Sequence, residues 1–168
     1  MKLWGEAFQR VDRRLTGWMA KNSIKLLRIS TGIIFTWFGV LKYFPGLSPA
    51  EGIAADTIRL LSFGIVETRV SMVILATWET LIGLGLISGI FLREVLLLLF
   101  LQMIGTIAPI FIFPERVFRN LPFVLTLEGQ YIFKNLVLIS AAFVIGATVR
   151  GGFLVSEPHN PKEDNLTK

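Results

Sequence analysis

The chain has 168 residues, of which 53% are hydrophobic and 17% are charged, and its mean hydropathy is +0.64. These values exclude an ordinary soluble domain and predict a small polytopic membrane protein. Because the sequence contains no cysteine, disulfides, thiolate nucleophiles and thiolate metal sites are also excluded. The net charge of +5 comes from basic residues concentrated near the N-terminus, which favours anionic lipid over nucleic acid as a partner.

Residues 1–23 carry apolar side chains at helical spacing, with the basic side chains mainly outside that stripe. The stripe consists of Trp4, Phe8, Val11, Leu15 and Trp18. This pattern predicts an amphipathic helix lying in the membrane interface, with its cations near acidic lipids. A docking site for a partner helix is the alternative interpretation.

The first predicted span runs from Ile24 to Phe44, long enough at about 1.5 Å per residue to cross about 30 Å of hydrocarbon. Helical spacing places one set of unusual residues on a single face. These are Arg28, Gly32, Phe35, Gly39 and Lys42. The glycines admit another backbone, and the charges should face the bundle interior or a boundary, so this face should pack against other spans. Alternatively, Arg28 only snorkels to the headgroups.

A short amphipathic helix is predicted to follow, because Ser48 to Glu51 has the form of a capping box before an apolar pattern that ends near Leu61. This helix is either a lid over the bundle or a spacer on the membrane surface, and the spacer is the simpler interpretation.

The second predicted span, Val70 to Ile90, contains Glu79 near its middle. An ionised carboxylate in hydrocarbon is costly, so Glu79 should be paired, hydrated or protonated. The third span, Val95 to Phe113, carries Gln102 as a structural polar residue and is interrupted by Pro109.

The fourth predicted span begins between Leu127 and Tyr131, after a boundary loop, and ends near Val149. It carries Glu128, Tyr131 and Asn135 on one face, with Lys134 beside it. The remaining residues, 151–168, form a polar tail in which His159 stands alone, so we predict no metal or haem site.

These segments predict an all-α integral membrane protein. A four-transmembrane-helix bundle over residues 24–150 follows the interfacial segment 1–23 and precedes the cytoplasmic tail 151–168. Four spans place both termini on one side, and the distribution of Lys and Arg predicts that this side is cytoplasmic. The polar residues of the first, second and fourth spans should lie at overlapping depths in the membrane, so the bundle should enclose a polar pocket in its outer half. The expected polar members are Lys42, Glu79, Glu128, Lys134 and Asn135, with Trp37, Tyr43, Trp78 and Tyr131 as aromatic walls or interface anchors.

Four short motifs, in this order and on these spans, resemble the DoxX-like membrane proteins and the related reactive-chlorine-resistance inner-membrane proteins. They are Arg28 to Gly32, Trp37 to Lys42, Glu79 with Gly83, and Glu128 to Asn135. The resemblance covers residues 24–151 and implies a multi-pass protein of the bacterial inner membrane. Members of these families are linked to thiosulfate:quinone oxidoreduction or to oxidative-stress resistance.

The first functional interpretation is a redox-associated subunit that binds quinone or another small amphiphile and holds no covalent cofactor. Glu79 would exchange protons as the catalytic residue. The substrate-binding residues would be Lys42, Lys134, Asn135, Glu128, Trp37, Trp78 and Tyr131. Electrons would come from a substrate or a partner redox subunit, because the chain has neither cysteine nor a credible haem histidine.

Two other interpretations remain open. The protein could be a transport module for protons or small solutes, which would require a homo-oligomer because four spans are few for alternating access. It could also be a scaffold in which the charged side chains only fix the register of the helices.

Overall fold

The computed structural model describes residues 5–152 and Leu154, apart from the side chains of Glu6 and Ala7. Trp4, His159 and most of the predicted tail therefore lie outside the described residues. The helices are α1 Glu6–Leu41, α2 Glu51–Leu61, α3 Thr68–Ser88, α4 Leu92–Ile107, α5 Pro109–Ile112, α6 Pro114–Val117, α7 Leu127–Phe133 and α8 Asn135–Thr148. Two short strands, β1 Phe118–Asn120 and β2 Val124–Leu125, form an antiparallel hairpin.

Within the described part of the chain, four helical stretches are long and apolar enough to cross a membrane: Phe8–Leu41, Thr68–Ser88, Leu92–Ile112 and Leu127–Thr148. Their outer faces carry exposed apolar side chains such as Leu84, Leu97 and Val137. A surface of this kind suits lipid rather than water, as expected of a multi-pass membrane protein.

Helix α1 differs from the prediction because it continues through Ser23 and Ile24 without a break. The predicted boundary between an interfacial segment and the first span is therefore absent among the described residues. No glycine or proline lies between Trp18 and Arg28 to interrupt the helix. The amide of Asn22 also donates to the carbonyl oxygen of Trp18 at 2.8 Å, a bond made within the helix.

The glycine face of α1 packs against α3, as predicted. A Cβ atom added at Gly32 would lie 2.8 Å from the carbonyl oxygen of Gly83, and one added at Gly83 would collide with the backbone and hydroxyl of Thr36. A Cβ atom at Gly39 would meet the backbone nitrogen of Thr80 at 2.8 Å. These glycines therefore set the close approach of the two helices.

The main hydrophobic core lies between α1, α3, α4 and α8, where Ile82, Leu86 and Leu99 are fully buried. A second, smaller core joins the connecting segments 42–67 and 113–126 at one end of the bundle, which we call the capped end. Its buried members are Ile53, Val117 and Ile132. The connecting segments therefore pack as part of the fold.

Two local predictions at the capped end were wrong. Ala50, rather than Ser48, is the N-cap residue of α2, and it makes no side-chain capping bond. The carboxylate of Glu51 instead accepts a hydrogen bond from the backbone nitrogen of Gly46 at 2.7 Å. The all-α assignment also missed the β1–β2 hairpin, since its strands are too short to give an alternating pattern.

Two of the four spans are interrupted. Helix α4 gives way to α5 at Pro109, which confirms the predicted interruption of the third span. The fourth span is divided at Lys134, between α7 and α8, although no proline or glycine lies there. Both interruptions lie beside the cavity described below.

Candidate functional site

Glu79 lies at the junction of three spans. The ammonium nitrogen of Lys42, which follows α1, lies 2.6 Å from Glu79 Oε2. The side-chain amide of Gln102, on α4, donates to Glu79 Oε1 at 2.6 Å. The side chains of Lys42 and Glu79 are only 9% and 11% exposed, so this is a buried ion pair. Of the three states predicted for Glu79, namely paired, hydrated or protonated, the structure shows a paired carboxylate inside the bundle.

Local geometry explains why the pair can form. A Cβ atom at Gly39 would lie 3.0 Å from Glu79 Cβ, so the glycine brings α3 close to α1 one turn before Lys42. Lys42 also donates to the carbonyl oxygen of Phe38 at 3.4 Å. A buried charge of either sign is costly alone, and the second hydrogen bond from Gln102 further offsets desolvation of the carboxylate.

Lys134 lies at the interruption between α7 and α8, and its side chain is exposed. Its ammonium nitrogen lies 3.9 Å from the ring centroid of Tyr131 and 4.2 Å from that of Phe38. The ring faces attract the cation. Within residues 5–152, no carboxylate lies within salt-bridge distance of this ammonium group.

Lys42, Glu79, Gln102, Lys134 and Asn135 all line one cavity of about 630 Å³. This volume falls within the range of about 300 to 1,000 Å³ that is typical of small-molecule sites. The other lining residues are mainly apolar or aromatic and include Phe35, Phe38, Leu75, Trp78, Met103, Tyr131 and Leu138. The cavity therefore combines apolar walls with a few polar groups that could orient a ligand.

Helix α2 covers part of this cavity. Ile53, Thr57 and Ile58 line it, and the first two are nearly completely buried. The interpretation of this segment as a surface spacer was therefore wrong, because its apolar face packs against the bundle. The position of α2 over the cavity agrees with the other interpretation, in which this helix covers the bundle.

Asn135 is the first residue of α8 and is only 8% exposed. Its side chain lines the cavity and has no hydrogen-bond partner within the described chain. Among the described residues, the fully enclosed side-chain atom without a partner is Gln102 Oε1, so the unpaired amide of Asn135 keeps some access to the cavity. This amide is therefore available to a molecule in the cavity.

Two predicted site residues, Trp37 and Glu128, lie outside the cavity, and a third, Trp78, lines it with its indole nitrogen bonded to the backbone. Trp37 is 66% exposed and faces away from the cavity, because it is two residues beyond the buried Phe35 on the same helix. Glu128 lies outside the cavity and binds the guanidinium of Arg116 at 2.8 Å. Trp78 does line the cavity, and its indole nitrogen donates to the carbonyl oxygen of Leu98 at 3.1 Å.

Arg28 lies towards the end of the bundle opposite the capped end. Its guanidinium lies against Gly89, the residue that ends α3, and a side chain at position 89 would collide with it. A cation at this place is favourable because helix carboxyl ends carry partial negative charge. Arg28 is thus separated from the cavity.

The sequence analysis missed the cluster around Arg116. This guanidinium binds Asp56 of α2 as well as Glu128 of α7, and so connects α2 to the fourth span. The hydrogen bond to Glu128 raises the pKa of Arg116 above its ordinary value, so its charge persists at physiological pH. No local motif could have revealed the contact, because the three residues are far apart in sequence.

No family model matches the chain, and neither a curated protein nor a solved structure shows significant similarity to it.

Proposed function

We propose that the protein is a redox-associated membrane subunit, of the DoxX-like class that its motifs resemble, which binds a quinone or similar amphiphile in the cavity. The observation that carries this proposal is the buried group of Lys42, Glu79 and Gln102 on the wall of an apolar cavity of about 630 Å³. An amphiphilic ring compound needs both features, apolar walls for its body and polar groups for its oxygens.

In this proposal, Lys42, Lys134 and Asn135 donate hydrogen bonds to the quinone oxygens, while Trp78 and Tyr131 flank the ring. Reduction of the quinone to quinol takes up two electrons and two protons. Glu79 relays protons to the ring, because a carboxyl group within hydrogen-bonding reach can donate and be reloaded. The electrons come from a reduced substrate or from a partner redox subunit.

We further propose that the protein resides in a bacterial inner membrane, with both termini cytoplasmic and the capped end facing outwards. The concentration of basic residues at the N-terminus supports this orientation. The family resemblance supports a role in sulfur-compound oxidation or oxidative-stress resistance.

A cavity-filling variant tests the proposal. Gly105 lines the cavity, and a Cβ atom added there would meet no atom within 4 Å, so Gly105→Leu should fill the space without moving the backbone. We expect protein purified in mild detergent to retain quinone, and Gly105→Leu to retain at most about a tenth as much, measured by mass spectrometry.

The matched control is Gly17→Leu, which places the same side chain on the exposed part of α1, where there is also open space. This variant should retain as much quinone as the unmodified protein. Quinone retention that is equal in both variants, or absent from the unmodified protein, would contradict the proposed function.

A further inference from the structure

The charged groups that line the cavity do not balance. Among the residues that the structure describes, they are Lys42, Glu79 and Lys134, that is, two ammonium groups and one carboxylate. Lys42 lies 2.6 Å from Glu79 and neutralises it, which leaves the charge of Lys134 uncompensated. A cavity with apolar walls weakens screening by water, so this remaining positive charge should attract an anion more strongly than it would in bulk solvent.

The aromatic rings beside Lys134 position its charge without neutralising it. The ammonium nitrogen is 3.9 Å from the centroid of Tyr131 and 4.2 Å from that of Phe38. Such contacts hold a cation through the negative faces of the rings, which carry no net charge. Because the lysine side chain is exposed, a ligand can reach the ammonium group directly.

Asn135 supplies an independent observation at the same place. It follows Lys134 in the chain, is 8% exposed and lines the cavity, and its side chain bonds to no other group within the described chain. A buried amide that lacks a protein partner can donate a hydrogen bond to a ligand oxygen.

The break between α7 and α8 adds little to the positive potential. Lys134 keeps a right-handed helical backbone, and its N–H donates to the carbonyl oxygen of Gln130, so the carboxyl end of α7 meets the amino end of α8 at this point. Opposite ends of two helix dipoles offset each other. The ammonium of Lys134 and the amide of Asn135 are therefore the groups that favour negative charge here.

We infer that the cavity selects an amphiphile whose head carries an oxyanion, bound between the Lys134 ammonium and the Asn135 amide. This inference rests on the proposed function, in which the same cavity binds an amphiphilic ring compound. It adds that the polar head of this ligand is negatively charged. Two sources share this chemistry: an ionised hydroxyquinone or quinol, and the carboxylate of a lipid.

Matched pairs of ligands separate charge from shape. The first pair is an alkylated hydroxynaphthoquinone, ionised at neutral pH, and its neutral methyl ether; the second is laurate and lauryl alcohol. Binding to the purified protein is followed by fluorescence of Trp78, in a background where the other three tryptophans, Trp4, Trp18 and Trp37, are replaced by phenylalanine. We expect the ionised naphthoquinone to bind at least about tenfold more tightly than its ether.

Variants at the site assign this preference to its residues. Lys134→Met should weaken both ring compounds, because Lys134 also donates to a neutral quinone oxygen, but it should weaken the ionised one by about tenfold more and so bring the affinity ratio close to one. Asn135→Leu should reduce the ratio by about threefold or more. Lys134→Arg keeps the charge and should keep the preference. An unchanged helical circular dichroism spectrum and melting temperature in detergent verify that each variant is folded.

The outcomes distinguish the inference from the proposed function. Equal binding of the ionised naphthoquinone and its ether would overturn the inference and leave the proposed function standing. If neither ring compound binds, the proposed function fails, and the comparison of laurate with lauryl alcohol tests the inference alone. A preference for laurate that Lys134→Met abolishes would support an oxyanion site for a lipid carboxylate. Equal binding of the two lauryl compounds, or no binding of either, would overturn the inference.

Discussion

The ion pair of Lys42 and Glu79 leads to a prediction at the scale of single residues. Lys42→Met and Glu79→Gln each leave one buried charge without its partner, so each should lower the free energy of unfolding by about 3 to 5 kcal/mol. The double variant removes both charges and should lose less than the sum of the two single variants. Unfolding of the purified protein in mixed detergent micelles measures all three.

Additivity would contradict this account of the pair. A double variant whose loss equals the sum of the single losses would mean that the two charges do not interact. Lys25→Met, at an exposed position of α1, is the control for removing a lysine from this helix. It should change the free energy of unfolding by less than about 1 kcal/mol.

The polar contacts were the part of the site that the sequence could predict. A charge within an apolar span must be satisfied, so the sequence predicted that Lys42 and Glu79 meet inside the bundle. It did not predict the hydrogen bond from Gln102 to Glu79, since Gln102 was assigned only a structural polar role. The aromatic residues carry no such requirement, since tryptophan is stable against lipid, protein or the membrane interface. The exposure of Trp37 followed from the rotation of α1, because Trp37 lies two residues beyond Phe35 and so opposite the face that Gly32, Gly39 and Lys42 mark as inward.

At the scale of helices, the contact between α1 and α3 gives a second prediction. An alanine at position 83 would drive its methyl group into Thr36, so Gly83→Ala should destabilise the protein by about 1 to 3 kcal/mol. Gly17→Ala is the matched control, because a methyl group there meets nothing and alanine favours the helix. It should stabilise the protein by about 1 kcal/mol at most, and thermal unfolding in detergent compares the two.

An equal response of the two variants would mean that α1 and α3 are not packed through Gly83. Partial recovery of stability in Gly83→Ala combined with Thr36→Ala, which removes the hydroxyl that the added methyl group would strike, would further localise the contact. Recovery of this kind requires that the two residues face each other in the folded protein.

The sequence predicted the spans better than it predicted their ends. Hydropathy over about 20 residues identifies a span because the whole segment contributes, whereas a boundary depends on a few local contacts. Local contacts of this sort decide three features that the sequence did not predict: the continuity of α1, the N-cap at Ala50 and the hairpin that begins at Phe118. The attachment of α2 through Arg116 depends on a contact between distant segments, which is not encoded in either one alone.

At the scale of the whole molecule, four spans imply that the two ends of the bundle face opposite sides of the membrane. Because the chain contains no cysteine, single cysteines can report on each side. We expect a membrane-impermeant maleimide to label Phe63→Cys and Phe123→Cys, at the capped end, in intact spheroplasts. Ile90→Cys, between α3 and α4, should react only after the membrane is opened. All three positions are exposed.

The reverse labelling pattern would mean that the capped end faces the cytoplasm. Labelling of all three cysteines in intact spheroplasts would contradict the arrangement of four spans itself. Reaction of each variant after solubilisation in detergent is the control that every cysteine is reactive.

The length of α1 has a mechanical consequence. Its 36 residues measure about 54 Å, whereas the hydrocarbon layer is about 30 Å thick, so an upright α1 must project well beyond the layer. A thicker bilayer lets α1 stand more upright and a thinner one makes it lean. The backbones of α1 and α3 are in close contact at Gly32, Gly39 and Gly83, so a change in the tilt of one helix also moves the other. A change in bilayer thickness would then change the shape of the cavity that α1 and α3 both line, without any ligand binding to the protein.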